Sequence, residues 1–261
     1  MVVPKDWDLP SEGNDVLSEK FEAHIHEGKE GRMPYRLFVP DPSEKVPIVL
    51  YIHGADCVGD DNISQLSMHD IGTMYARPSW QKKHPCYVLA PQYGIGMGYT
   101  VTDVGAAIQD LLEQVIREHD DIDRSRIYIY GYSAGGAKLY RLLKQHPGFY
   151  AGAIGICGST DRAFLEDITK TPLYMVHAVD DPVVRYSYKS GNQDVRKLSH
   201  LGSGDIHEML RETVDWDMHV KFPEKGFLKE HYHVNAHCSW VYVSDPGNRD
   251  ISEWLFSKRL K

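Results

Sequence analysis

One eleven-residue stretch constrains the fold more than any other part of the chain. Residues 126–130 are β-branched, aromatic or basic and have the composition of a buried strand. A Gly-x-Ser-x-Gly motif centred on Ser133 follows, and leucines at helical spacing come next, until the His-Pro-Gly of residues 146–148 ends the pattern. The sequence therefore predicts a serine at a tight turn from a strand into a helix, where glycines let backbones approach closely.

A serine at such a turn is a candidate nucleophile. The turn lifts the Ser133 hydroxyl out of the chain, and the free amides and the positive end of the helix dipole point at the same place. Those amides can stabilise negative charge that develops on an oxygen atom. The amide of Ala134 is thus a candidate donor in an oxyanion hole.

Strand-like and helix-like segments alternate along most of the chain. After an antiparallel pair predicted within residues 21–39, buried-strand composition recurs at residues 46–52, 86–91, 151–157 and 172–177. The clearest helical periodicity covers residues 101–119. Alternation of this kind predicts an α/β protein with a mainly parallel central sheet and helices on both faces. A chain of 261 residues can form one large core, so we predict a single domain over residues 1–261.

Shorter patterns complete the local predictions. Ser67 resembles an N-cap, which predicts a helix from there to Tyr75. The remaining expectations are a surface-wrapping segment at residues 1–20, a loop at 92–100, helices at 205–214 and 251–256, and a strand at 218–222.

Composition excludes several classes of partner. A net charge of −8 without a basic cluster argues against nucleic acid. No apolar run approaches the roughly 18 residues of a membrane span. The start of the sequence lacks the features of a signal peptide, and the four cysteines are scattered. We therefore expect a cytoplasmic protein with reduced thiols that acts on a small molecule.

A nucleophilic serine needs a base to take its proton and an acid to orient that base. Where the serine sits at a strand-to-helix turn, both partners are expected downstream, the acid first. Asp180 and Asp181 directly follow a buried strand, where parallel sheets place their sites. The alternative is that both are solvated aspartates in an Asp-Pro turn.

The candidate bases are three closely spaced histidines, His231, His233 and His237. Such a cluster also suggests a metal site, but Glu230 is the one carboxylate nearby and the spacing is unfamiliar for metal ligands, so we predict no metal. His219 lies within a predicted strand and is expected to be packed or on the surface.

A second oxyanion donor is expected near the His53-Gly54 pair, which follows a buried strand. This placement would bring the amide of Ala55 to the oxyanion hole. The alternative is an ordinary strand-to-loop turn. His53 itself is not a candidate base, since it precedes the serine.

Seven short motifs in a fixed order resemble those of one protein group. They are Pro34-Tyr-Arg-Leu37, the segment of His53-Gly-Ala55 and Gly59-Asp-Asp-Asn62 with Gln65-Leu66, Leu89-Ala-Pro-Gln92, Asp123-x-x-Arg-Ile-Tyr128, His177 to Val184, His237-Cys-Ser-Trp240, and Trp254-Leu-Phe256. From about residue 32 onward the chain thus resembles the α/β-hydrolase superfamily, in the serine esterase branch with the polyhydroxybutyrate-depolymerase-like esterases and the "predicted peptidases".

This resemblance selects among the candidates. It implies Asp181 as the acid and His237 as the base. It further implies a serine hydrolase that cleaves short-chain or aromatic carboxylic esters without a cofactor. Asp56 and Ala178 depart from the pattern, which has glycine at both positions.

The sequence leaves alternatives open for the substrate-binding residues and for the class of activity. We expect substrate contacts from Tyr132, Tyr186, Tyr188 and Trp240, with residues 185–212 shaping one wall of the pocket unless they form a plain surface excursion. The alternatives for the activity are a peptidase of the same fold, a catalytically silent binding protein and a metal-dependent hydrolase.

Overall fold

A large β-sheet runs through the centre of the protein. The computed structural model describes residues 14–42, 44–94, 103–212 and 216–260. Its strands are β1 (Glu22–Gly28), β2 (Gly31–Phe38), β3 (Val46–Ile52), β4 (Tyr87–Pro91), β5 (Ile122–Tyr132), β6 (Gly152–Ile156), β7 (Ser159–Asp161), β8 (Leu173–Val176), β9 (His200–Gly202) and β10 (Met218–Lys221).

The order of the eight strands in the large sheet is β1-β2-β4-β3-β5-β6-β8-β10. The first two strands pair antiparallel, β2 pairs antiparallel with β4, and every later pairing is parallel. β7 and β9 form a separate antiparallel pair. The mainly parallel sheet confirms the fold class predicted from the sequence.

Helices flank this sheet. They are α1 (Asn14–Ser18), α2 (Ser64–Ser67), α3 (Pro78–Gln81), α4 (Val104–Glu118), α5 (Ala134–Gln145), α6 (Leu165–Ile168), α7 (Ser203–Leu210), α8 (Phe227–Tyr232), α9 (Trp240–Ser244) and α10 (Arg249–Phe256). The helices in the described part of the chain lack the length and apolar character needed to cross a membrane.

Alternating strand residues supply two hydrophobic cores, one on each face of the sheet. Ile127 and Ile129 of β5 pack in a cluster with the apolar sides of α4 and α5. Tyr128 and Tyr130 point the other way and pack with α10. β3 is buried at all seven positions, which explains its uninterrupted apolar sequence.

The helix predicted over residues 67–75 is wrong. Ser67 ends α2 instead of starting a helix, and the segments Asp70–Gly72 and Met74–Ala76 form separate 3-10 turns. Close packing explains the break, because a Cβ on Gly72 would lie 2.6 Å from the carbonyl oxygen of Gln65.

Other local predictions differ at their boundaries. The helix predicted over 205–214 starts at Ser203, and Gly202 just before it donates its N–H to the Asp205 carboxylate over 3.0 Å. The predictions for residues 1–13, 95–102 and 213–214 lie outside the described residues.

Candidate active site

The serine turn is a strained junction between β5 and α5. Ser133 has φ 55° and ψ −116°, a conformation that L-residues rarely adopt and that is held only by the surrounding structure. Gly131 and Gly135 flank it. A Cβ on Gly131 would lie 2.5 Å from the Gly135 carbonyl oxygen, and one on Gly135 would clash with backbone oxygens of Ile52 and His53.

The Gly135→Ala substitution should therefore destabilise the protein strongly. Its new methyl would meet backbone atoms of β3, so α5 must shift, at a cost of at least about 2 kcal/mol. Gly105→Ala is the matched control, since its nearest contact is the end of the flexible Gln145 side chain at 3.1 Å. Urea unfolding of both variants measures the difference; equal stabilities would contradict the close packing.

The structure brings Ser133, His237 and Asp181 together, although they are far apart in the sequence. The Ser133 hydroxyl lies 2.9 Å from Nε2 of His237, and Nδ1 of His237 lies 2.8 Å from Oδ2 of Asp181. Because the carboxylate only accepts, Nδ1 carries the proton and Nε2 accepts from the serine. The segment between α8 and α9 supplies the histidine, whose amide donates to Asn235 Oδ1 over 2.8 Å.

The surroundings of Asp181 keep its carboxylate ionised. Burial alone would raise the pKa of Asp181, but hydrogen bonds from His177 and His237 outweigh it and hold that pKa well below its usual range. The amides of Val183 and Val184 also donate to Oδ1, over 2.8 and 3.0 Å.

A second histidine, His177, contacts the same carboxylate oxygen. Its Nε2 lies 3.2 Å from Oδ2 of Asp181 and 3.0 Å from the carbonyl oxygen of Val184, so Nε2 carries a proton that faces both acceptors. Its Nδ1 lies 2.9 Å from the hydroxyl of Ser203 on α7. In the sequence, His177 served only as a spacing marker, and nothing there indicated its contact with the acid.

The amides of Ala55 and Ala134 both lie at the starts of helical turns. Ala134 begins α5 and Ala55 begins the 3-10 turn Ala55–Cys57. Within the described residues, neither N–H donates to an acceptor. Both amides are therefore free to bind an external oxygen atom.

The loop that carries Ala55 is fixed by the fully buried His53. The His53 Nδ1–H donates to the Gly54 carbonyl over 2.7 Å, and Nε2 accepts the Tyr93 N–H over 3.2 Å. The Tyr93 hydroxyl donates back to the His53 carbonyl over 2.6 Å, and the two rings stack at 4.0 Å. His53 thus positions the loop, and its neutral form is the one the bonds require.

Burial of His53 predicts a loss of stability in acid. Burial lowers the pKa of His53 from 6.5 to about 4. The unfolded chain therefore binds more protons between these two values, and the free energy of unfolding falls as the pH drops from 6.5 to 4, by up to ~3 kcal/mol from this group. Urea unfolding across this range should show a flatter pH dependence for His53→Gln; an unchanged slope would contradict the assignment.

Asp56, which replaces the glycine of the related pattern, is engaged by His69. Its Oδ2 lies 2.5 Å from Nε2 of that buried histidine. Burial acts to raise the pKa of Asp56, but the hydrogen bond from His69 more than offsets it, and the net shift is downward. The His69 ring in turn packs against Trp240 at 4.6 Å and Tyr132 at 5.5 Å. Asp56 thus belongs to a packed group of side chains with His69, Trp240 and Tyr132 next to the loop that carries Ala55.

A cavity of about 500 Å³ adjoins Ala134. Its lining comes from the starts of α4 and α5, from β7 and its neighbours, and from β9: Asp103, Val104, Gly105, Ala134, Ala137, Lys138, Arg141, Ser159, Thr160, Asp161, Phe164 and His200. Of the segment 185–212, only His200 reaches this lining.

The four side chains expected to contact substrate do not line this cavity. Tyr132 and Trp240 are buried, and the Tyr132 ring packs at 5.2 Å from that of His237. Tyr186 packs edge-on against the His177 ring at 5.9 Å, and Tyr188 against the His200 ring at 4.8 Å. These four rings are buried or pack against histidine rings, which explains why they are absent from the cavity lining.

Two groups of metal-ligating side-chain types occur in the described parts of the chain. They are Asp56 with Cys57 and His69, and Cys157 with Asp181 and His237. Burial raises the pKa of both thiols, which disfavours the thiolate form. The histidines His231 and His233 belong to neither group, and His231 lies 3.0 Å from the carbonyl of Phe227 on its own helix.

Comparisons with known proteins show which proteins this chain is similar to. A family model described as the prolyl oligopeptidase family matches residues 98–210. A search of curated proteins finds no significant match. A thermostable esterase of known structure is 30% identical, with a TM-score of 0.79 over 94% of this chain and 64% of that one.

More distant structures share the fold. An acylaminoacyl peptidase from Pyrococcus horikoshii is 14% identical, with a TM-score of 0.65 over 95% of this chain and 44% of that one. An S-formylglutathione hydrolase from Agrobacterium tumefaciens is 14% identical, with a TM-score of 0.58 over 92% and 95%. The chain thus spans less than two thirds of the esterase and of the peptidase.

The sheet, the serine turn and these likenesses define the class of protein. The protein has the α/β-hydrolase fold, and it is similar to serine esterases and peptidases of that superfamily. The resemblance predicted from the sequence motifs is thereby confirmed.

Proposed function

We propose that the protein is a serine hydrolase that cleaves carboxylic esters, with short-chain or aromatic acyl groups, through an acyl-enzyme. One observation carries this proposal: an unbroken hydrogen-bonded path from the Ser133 hydroxyl through His237 to Asp181. The serine lies on a strained turn, and the amides of Ala55 and Ala134 have no acceptor among the described residues, which supports a site for acyl transfer.

Each residue has a defined step in this mechanism. The Ser133 oxygen attacks the acyl carbon while Nε2 of His237 takes its proton, and His237 then gives that proton to the departing alcohol. Water, deprotonated by the same nitrogen, releases the acid and restores the serine. Asp181 holds the histidine tautomer and stabilises the imidazolium.

The amides of Ala55 and Ala134 are proposed to bind the oxyanion of the tetrahedral intermediate. A donor of this kind is worth roughly 3–4 kcal/mol of barrier in comparable enzymes. Because both amides belong to backbone turns fixed by the fold, they need no reorganisation during the reaction.

Peptide hydrolysis is the second candidate activity. The match to the prolyl oligopeptidase family favours it, whereas the more similar solved structure is that of an esterase. An activated ester releases its alcohol without strong protonation by the histidine, so an ester is the less demanding substrate for this site.

Matched substrates distinguish the two activities. An aryl ester and an anilide with the same acyl group, short or aromatic, are assayed with wild type and with Ser133→Ala as the blank. We expect serine-dependent turnover of the ester, faster than that of the anilide and insensitive to chelators. Rapid anilide turnover with negligible ester turnover would favour the peptidase; chelator-sensitive turnover that survives in Ser133→Ala would contradict the serine mechanism.

A further inference from the structure

Two cations that form no ion pair with a described residue line the cavity that adjoins Ala134, the residue after Ser133. Lys138 and Arg141 both project from α5 into its lining. Neither forms a salt bridge with any described residue. Residues 95–102, which directly precede Asp103 in the sequence, include no aspartate or glutamate.

The helix places both cations in line with the oxyanion donor. Lys138 follows Ala134 by four residues and Arg141 by seven, a spacing that puts all three on one helix face. At the rise of an α-helix, their Cα atoms lie about 6 and about 10 Å along the axis from that of Ala134. A group bound between their side chains therefore lies a few bonds from a carbonyl held at the oxyanion hole.

The position of Lys138 is fixed by Tyr93 and His53, the residues that also fix the loop carrying Ala55. Its ammonium lies 4.3 Å from the centre of the Tyr93 ring, which stacks on His53. The side chain is half-buried. Burial and, to a smaller extent, the charge of Arg141 lower the pKa of Lys138, which shows that the site stabilises its positive charge incompletely.

The acidic residues of the cavity are already engaged. Oδ1 of Asp103 accepts the amides of Gly105 and Ala106, over 2.9 and 3.1 Å, as the N-cap of α4. Asp161 lies 3.2 Å from Nδ1 of His200. Lys138 and Arg141 are thus the cavity's charged groups that form neither a hydrogen bond nor a salt bridge with a described residue.

We propose that this cavity binds a carboxylate of the substrate, held by Lys138 and Arg141, and this inference rests on the proposed hydrolysis at Ser133. The substrate class is then a carboxylic ester that carries a second, ionised carboxyl group a few bonds from the scissile carbonyl. Both cations donate charge-assisted hydrogen bonds to such a group, and the planar guanidinium of Arg141 matches its geometry.

Two matched substrate pairs test the proposal. In the first, the charge lies in the acyl group: para-nitrophenyl hydrogen adipate against the para-nitrophenyl ester of adipamic acid. In the second it lies in the leaving group: para-acetoxybenzoate against para-acetoxybenzamide. We expect the acidic member of one pair to have a kcat/KM about ten- to a hundredfold above that of its amide, and this ratio to fall about tenfold in Lys138→Gln and in Arg141→Gln.

Control variants separate local charge from other effects. Lys138→Arg should keep most of the preference, and Lys229→Gln, which removes an exposed charge on α8, should leave the ratio unchanged. Ratios near one in both pairs, or ratios that Lys138→Gln and Arg141→Gln leave unaltered, would overturn the proposal.

A binding measurement separates this inference from the proposed reaction. Titration calorimetry of Ser133→Ala with adipate should detect binding that weakens about tenfold on adding Lys138→Gln. Such binding without ester turnover in wild type would retain the anion site and reject the hydrolysis. Serine-dependent turnover without adipate binding or charge preference would retain the hydrolysis and reject the anion site.

Discussion

Replacing Asp181 by asparagine should lower kcat/KM for an aryl ester by about four orders of magnitude. The carboxylate oxygen that accepts from Nδ1 of His237 also accepts from His177. An amide nitrogen at that position would donate to His237 instead, which favours the tautomer that cannot take the serine proton.

Asp180→Asn is the matched control for this substitution. The Asp180 carboxylate accepts the Gly226 amide over 2.9 Å, a contact that asparagine can keep through its own oxygen. Most of the activity should remain in this variant, as measured under the same assay. If Asp180→Asn were the more damaging change, the acid would have to be reassigned to the neighbouring residue.

Replacing His237 by glutamine should have a still larger effect, lowering turnover by about a millionfold. Glutamine cannot carry a proton from the Ser133 hydroxyl to the leaving group, so general base and general acid catalysis are both lost. His231→Gln and His233→Gln are the controls, because both lie on or at the end of α8, and neither is a hydrogen-bond partner of Ser133 or Asp181 within the described residues. Both controls should retain nearly full activity.

Circular dichroism and urea unfolding would establish that these variants fold. A folded His231→Gln or His233→Gln variant without activity would contradict the assignment of His237 as the only essential histidine of the three. A folded His237→Gln variant with wild-type turnover would have the same consequence.

The parts of the fold that follow from the sequence are those governed by local pattern. Strands buried on both faces, such as β3, have an uninterrupted apolar sequence, and α4 has a regular apolar periodicity. The segment between α2 and the turn Met74–Ala76 could not be predicted in this way, because close tertiary packing around Gly72 divides it into short turns. β7 and β9 have three residues each, too few for an alternating pattern.

The candidate site was predictable only in part. The strand-to-helix turn indicated Ser133, and resemblance to known motifs selected Asp181 and His237, whose meeting across 56 residues no local pattern reveals. The catalytic roles of these residues remain predictions. The expected substrate contacts stay predictions, and the directions of side chains such as Tyr186 depend on tertiary packing that the sequence does not show.

The two cations of the cavity, Lys138 and Arg141, could be predicted in part from the spacing of residues in the sequence. Lys138 and Arg141 follow Ala134 at helical spacing, so their shared face was visible in the sequence. The sequence does not show that the described residues offer them no ion-pair partner, since this depends on the contacts of Asp103 and Asp161 in the folded structure.

Active-site labelling tests the central claim most directly. Wild-type protein is treated with a fluorophosphonate, its residual ester hydrolysis is measured, and the adduct is located by mass spectrometry. The proposed mechanism predicts one adduct per chain on the peptide that contains Ser133, formed in proportion to the loss of activity and absent from Ser133→Ala. An unlabelled wild type that hydrolyses esters, together with full activity in Ser133→Ala, would contradict it.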